Sequence, residues 1–231
     1  MRLLLTAALA TASLLLAAQN TETRDVKAFS RVAVNYGIDA TVVRGDAPGL
    51  TLEGDADLLA DLRTYVEGGT LKFEYDQSIW DRLTARLSDG AVRATITTPR
   101  LYGVVANGGA EVRSAEEWPA DAFNVVANGG ADVELKIRAI EAKVVANGGA
   151  DVTLSGTARR ADILANGGSD VRARGLTCQR VEAKANGAAE ITVHADERLE
   201  ASANGGSDIR YYGDATDVDV RSNGGSGVER G

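Results

Sequence analysis

Seven variations on one phrase, Ala-Asn-Gly-Gly-(Ala/Ser)-Asp-Val, run from Ala106 onward and limit what this chain can fold into. Their asparagines are Asn107, Asn128, Asn147, Asn166, Asn186, Asn204 and Asn223, at successive steps of 21, 19, 19, 20, 18 and 19 residues. A period near twenty belongs to repeats that are each one supersecondary unit, able to bury an apolar face only against a neighbour.

Aligned on the asparagine, the five preceding residues read YGVVA, FNVVA, AKVVA, ADILA, VEAKA, LEASA and VDVRS. Alternate positions are apolar or small. The first column is Tyr102, Phe123, Ala142, Ala161, Val181, Leu199 and Val218, and the third runs from Val104 to Val220. Asn124, Lys143, Asp162, Glu182, Lys184 and Arg221 lie between them, which is the two-residue period of a strand with one buried face. Beyond the glycines the alternation resumes, with Ala110 to Ser226 and then Val112 to Val228 as inward columns. Each repeat therefore reads as a five-residue strand, an Asn-Gly-Gly corner, a second five-residue strand and a variable connection of roughly nine residues. Strands this short need partners from the next repeat. Parallel stacking at about 4.8 Å gives an all-β fold, a parallel β-solenoid with coils of about 19 residues and a regular part about 29 Å tall.

At the corner, glycine supplies positive φ and asparagine tolerates the left-handed region. A column of identical amides is also expected to hydrogen-bond along the stack as a ladder of the seven asparagines. Four residues after each of the first six asparagines stands an acid, Glu111, Asp132, Asp151, Asp170, Glu190 and Asp208, and after the seventh stands Gly227. Strand parity points this column outward, where like charges about 4.8 Å apart repel unless something offsets them. Arg113, Arg172 and Arg210, two residues further on, favour a solvated, partly paired face. The alternative is calcium at Asp132, Asp151, Asp170, Glu190 and Asp208. Calcium rolls place a Gly-Gly-x-Gly-x-Asp motif twice in about eighteen residues, and here the comparable phrase occurs once per coil, so calcium is not implied.

Residues 1–18 have the outline of a secretory signal peptide: Met1-Arg2, an apolar run from Leu3 to Leu16, then Ala17-Ala18. Residues 19–28 read as a linker, 29–100 as irregular β coils forming an N-terminal cap, and 101–231 as the regular solenoid, the last two continuous as one domain. Asp55 is placed to cap a helical turn carrying Leu58, Leu59 and Leu62. Within 78–88, Ile79, Trp80, Leu83 and Leu87 share one face of a short inserted helix. Trp118, beside Pro119, is expected to pack under its own loop.

The excess of 33 acids over 25 basic residues argues against nucleic acid and against anionic membranes. Nothing after the leader is apolar enough to cross a bilayer. Cys178, the one cysteine, leaves no internal disulfide, so stability must come from stacking. His194, the one histidine, has no serine or cysteine motif to serve, and no His/Cys cluster has zinc spacing.

Phe29-Ser30-Arg31-Val32, Gly37-Ile38-Asp39-Ala40-Thr41-Val42, Leu50-Thr51-Leu52-Glu53-Gly54-Asp55, Gly68-Gly69-Thr70-Leu71 and Ile96-Thr97-Thr98-Pro99, in that order before the first corner, carry a resemblance. It is to the bacterial family described as putative auto-transporter adhesin, head GIN domain, and it spans Phe29 to Gly231. The resemblance implies an exported, right-handed β-helical domain without known cofactor or catalytic residues.

The expectation is a non-catalytic, exported cell-envelope protein, periplasmic or surface-displayed, using no cofactor. It offers an acidic outer face to an envelope component, a glycan or another protein, through binding or as a scaffold, with self-association at its last coil also open. The rivals are a calcium-stabilised structural solenoid and a polysaccharide-acting β-helix enzyme that uses the outer acids.

Overall fold

The computed structural model describes residues 20–75 and 92–231. It is a parallel β-solenoid of about 7 turns with a spacing of about 19 residues. The expected leader (1–18) and the helix expected at 78–88 lie outside the described residues.

The first strands are β1 (Asn20–Arg24), β2 (Arg31–Val34), β3 (Asp39–Arg44) and β4 (Gly49–Gly54); helix α1 (Ala56–Asp61) follows, then β5 (Leu62–Glu67), β6 (Thr70–Tyr75), β7 (Val92–Thr98) and β8 (Gly103–Gly108). From there each coil is nearly one bent strand: β9 (Glu111–Gly129), β10 (Asp132–Gly148), β11 (Asp151–Gly167), β12 (Asp170–Gly187) and β13 (Glu190–Gly205). The last turn is split into β14 (Asp208–Tyr212), β15 (Asp217–Gly224) and β16 (Gly227–Arg230).

Within β9 to β13 the variable connections are therefore strand and not loops. Parallel pairing of β10 with β11 runs from Asp132↔Asp151 to Gly148↔Gly167 without a register shift, because both repeats have the same length. Unequal repeats are absorbed by bulges. Shifts fall between Leu135 and Lys136 against β9, between Thr153 and Ser155 against β12, and at Ala173/Thr177 and Cys178/Arg180 against β13. A continuous ladder satisfies the backbone groups that a loop packed against the stack would leave unpaired. A second corner, near Arg138-Ala139-Ile140-Glu141, faces solvent across the coil from the glycine corner.

The inward columns form one core. Val104, Val125, Val144, Ile163 and Ala183 line one run, and Val112, Val133, Val152, Val171, Ile191 and Ile209 the other, each at most 3 % exposed. Burial of each Val or Ile is worth about 1.5–3 kcal/mol. Tyr102 departs from its column: Leu101 is fully buried in its stead and Tyr102 is only half-buried.

The N-terminal coils stack out of chain order. β2 pairs in parallel with β8 on one side and β6 on the other, while β3 lies between β9 and β7. The first coil in sequence is thus sandwiched between two later ones. Over the far side, β4 and β5 run antiparallel to β7 and β6. Between them Asp55 caps α1 by accepting from the Asp57 and Leu58 amides, and Leu58 and Leu59 turn into the core. The segment expected as a linker, 19–28, instead carries β1, antiparallel to β4. The Arg24 guanidinium holds it there through the Leu59 carbonyl at 2.6 Å and the Leu62 carbonyl at 2.5 Å.

Candidate functional site

The glycine corner is built from a backbone ladder and an amide ladder. The first glycine of each has positive φ, from 74° at Gly108 to 87° at Gly187. Its carbonyl accepts from the next coil, as in Gly149 N–H to Gly129 O at 2.7 Å. Each asparagine Nδ2 donates to the Oδ1 of the coil before, at 2.7 Å from Asn128 to Asn107, 2.8 Å from Asn147 to Asn128 and 2.9 Å from Asn166 to Asn147. The chain continues through Asn186, Asn204 and Asn223 at 2.9–3.1 Å. Sequence reasoning missed an eighth member. Asn35 accepts from Asn107 at 2.6 Å and passes its own N–H to the Phe73 carbonyl. Its corner differs because Tyr36, at φ 65°, stands in the first-glycine place.

The outer acids fall into columns that arginines bridge. Arg172 reaches both Asp151 and Asp170 at 2.9 Å, Arg113 pairs with Glu111 and lies 4.0 Å from Glu134, and Arg210 lies 3.9 Å from Glu190. One guanidinium between adjacent coils offsets the repulsion of stacked carboxylates. Asp132 and Asp208 occupy the same column, and among the described residues no three His, Cys, Asp or Glu side chains gather as metal ligands. The opposite run carries a second acid column that the sequence reading did not single out as one: Asp162, Glu182, Glu200 and Asp219. Arg160 bonds Asp162 at 2.8 Å and Glu182 at 3.0 Å, and Lys184 bonds Glu182 at 2.6 Å. That lysine hydrogen bond holds the Glu182 carboxyl below the usual carboxylate range.

The groups a catalyst would need are dispersed. His194 Nε2 sits 3.0 Å from Asp196 Oδ1 on the surface. Cys178 is buried at the second corner, and desolvation pushes its thiol up to about 12. Trp118 is fully buried, donating to Ser114 Oγ at 2.9 Å with the Arg44 guanidinium 5.0 Å from its ring centre.

The second corner of the early coils forms an open groove of about 610 Å³. Tyr102, Pro119, Ala120, Ala122, Ala139 and Ile140 line it, together with Asp121 and Arg138. They come from three successive coils, so no contiguous phrase announces the groove.

The family described as putative auto-transporter adhesin, head GIN domain, matches residues 28–215. The chain belongs to this family. No curated protein matches it. Among solved structures, a putative adhesin from Bacteroides fragilis is 24% identical with a TM-score of 0.82, over 92% of this chain and 96% of that one. A putative lipid binding protein from Parabacteroides distasonis is 19% identical with a TM-score of 0.72, and a putative adhesin from Parabacteroides merdae 18% identical with 0.67, each over 92% of this chain and 96% of the other. At these identities the likeness is one of fold.

Proposed function

We propose that this head GIN domain protein is a non-catalytic, exported cell-envelope solenoid that binds an envelope component adhesin-like, as a rigid scaffold. The observation carrying the reading is the double engagement of Arg172 by Asp151 and Asp170. It occupies two of the carboxylates that a calcium ladder would coordinate and that a polysaccharide-cleaving acid–base pair would draw on. Surface ion pairs of this kind hold the outer face charged and solvated without aiming it at a reacting atom. The family match and the adhesin-like neighbours support the binding role and, with the leader-like start of the sequence, export. Among the described residues no helix is long and apolar enough to cross a membrane.

The test is binding of the purified chain to isolated envelope fractions, with calcium and with chelator. Saturable, calcium-independent binding by the folded chain is expected. Absence of binding to every fraction would overturn the adhesin-like reading in favour of a spacer, and a melting temperature that falls in chelator would move the assignment to a calcium-stabilised stack.

A further inference from the structure

The second corners differ along the stack in a way that stacking does not require. Ala122 aligns with Glu141, Arg160, Arg180, Arg198 and Asp217 in the coils that follow, so one small apolar residue stands where five coils carry charge. Ile140 lies between the paired positions that bracket Asp121 and Arg159 in its neighbours, yet it is 45% exposed. Among the described residues only Val218 and Val220, in the final coil, are the other large hydrophobics so exposed. A single exposed apolar side chain is ordinary; Ile140 gains weight because it shares one groove with Tyr102, Pro119 and Ala122.

From this we infer that the groove lined by Tyr102, Pro119, Ala122, Ile140, Asp121 and Arg138 is a binding site for a neutral, pyranose-containing glycan. The inference rests on the adhesin-like reading and gives it a place and a ligand class. Its volume of about 610 Å³ falls inside the range of about 300–1,000 Å³ typical of small-molecule sites. A sugar ring offers an apolar face and a rim of hydroxyls that both donate and accept. The groove matches that division, with a tyrosine and aliphatic wall beside one carboxylate acceptor and one guanidinium donor. Arg138 bonds Glu117 through Nε at 3.1 Å, which leaves its terminal nitrogens for a paired contact with vicinal hydroxyls. The guanidinium of Arg138 is already paired with Glu117, so the rim holds no free cation to anchor a strongly anionic ligand. An acyl chain fits less well, because an open groove with ionised edges leaves much of the chain in water.

The test uses the full chain against immobilised neutral oligosaccharides of gluco-, manno- and xylo-type, with phosphatidylethanolamine–phosphatidylglycerol vesicles in parallel. The variants are Ala122→Arg and Ile140→Asp, which install residue types that neighbouring coils carry at those positions. We expect saturable oligosaccharide binding that weakens at least about tenfold in each variant while the melting temperature holds. Oligosaccharide binding indifferent to both variants would overturn this site and leave the adhesin-like reading standing. Vesicle binding alone, lost in the variants, would keep the groove and overturn the glycan. Failure to bind any oligosaccharide while envelope fractions still bind would refute the inference without touching the broader proposal.

Discussion

At the glycine corner seven coils repeat nearly one backbone, whereas at the opposite corner no two coils carry the same residues. Pro119-Ala120-Asp121-Ala122, Arg138-Ala139-Ile140-Glu141, Thr157-Ala158-Arg159-Arg160 and Thr177-Cys178-Gln179-Arg180 share little beyond one small residue turned towards the core. The first corner is constrained three times over: by positive φ, by direct contact with the corner beneath, and by two ladders of hydrogen bonds. The second is constrained only by its inward residue, and the bulges that absorb unequal repeat lengths lie at or before it. A solenoid can thus keep its architecture at one edge and vary its chemistry at the other.

The sharpest way to break that contrast is to place a side chain on each of the two glycines of one corner. A Cβ on Gly148, at φ 81°, would lie 3.2 Å from the Gly129 carbonyl oxygen and 3.3 Å from its Cα. Gly148→Val should therefore cost about 3 kcal/mol or more, from left-handed strain and overpacking together. Gly149 has no positive φ and 3.5 Å of room, and Ala188 already fills the equivalent place in a later coil. Gly149→Ala should shift stability by less than about 1 kcal/mol. Equal losses for the two in urea titrations would mean that the corner tolerates no side chain at all, and the contrast within it would fail.

Next in size is the amide ladder. Asn147 donates to Asn128 and accepts from Asn166, so Asn147→Leu strands an acceptor on one neighbour and a donor on the other. A half-buried polar group left unpaired costs about 1–3 kcal/mol, which in a chain of this size lowers the melting temperature by roughly 2–4 °C per kcal/mol. Asp121→Leu at the other corner should move it little. If calorimetry gives the two the same small effect, the asparagine column is an accident of the repeat and not one of its supports.

Much of this was legible because the repeat reports its own geometry. The two-residue period named nearly every inward column, and Asp55 with its leucines named α1. Tyr102 was misplaced because periodicity cannot tell which of two adjacent residues, Leu101 or Tyr102, turns inward where a coil begins. Asn35 escaped notice because its corner has a single glycine after Tyr36, and because spatial adjacency to Asn107 depends on coils that stack out of chain order. The same non-local pairing turned an apparent linker into β1. The groove was invisible for another reason: its walls come from three repeats at the edge where the repeat has no consensus.

Electrostatics should weigh less than either ladder. Arg172 bridges Asp151 and Asp170 from a position more than half exposed, where such pairs contribute at most about 1 kcal/mol. Arg172→Ala should lower stability by that amount or less at low ionic strength, and the difference should vanish near 1 M salt, where the screening length is about 3 Å. Thermal melts of both proteins across a salt series would check it. A difference that survives high salt would show that Arg172 acts through packing, drawing the charged face closer in kind to the glycine corner.

The smallest expected effect lies beside the second corner. The Lys184 ammonium, hydrogen-bonded to Glu182 at 2.6 Å, is the main cause of that carboxyl's lowered pKa, with Arg160 adding to it. A folded-state value below the unfolded one stabilises the fold above the unfolded pKa, and the contribution disappears as the pH falls through the folded value. The loss is therefore confined to the acidic side of an ordinary glutamate's titration. Glu182→Gln should cost less than about 1 kcal/mol at neutral pH, with the gap to the parent closing as the pH falls through the acid range. Should the gap instead remain constant over that range in denaturant titrations, Glu182 would be acting by its shape and not its charge, and the outer columns flanking the variable corner would share the packing constraint that governs the glycine corner.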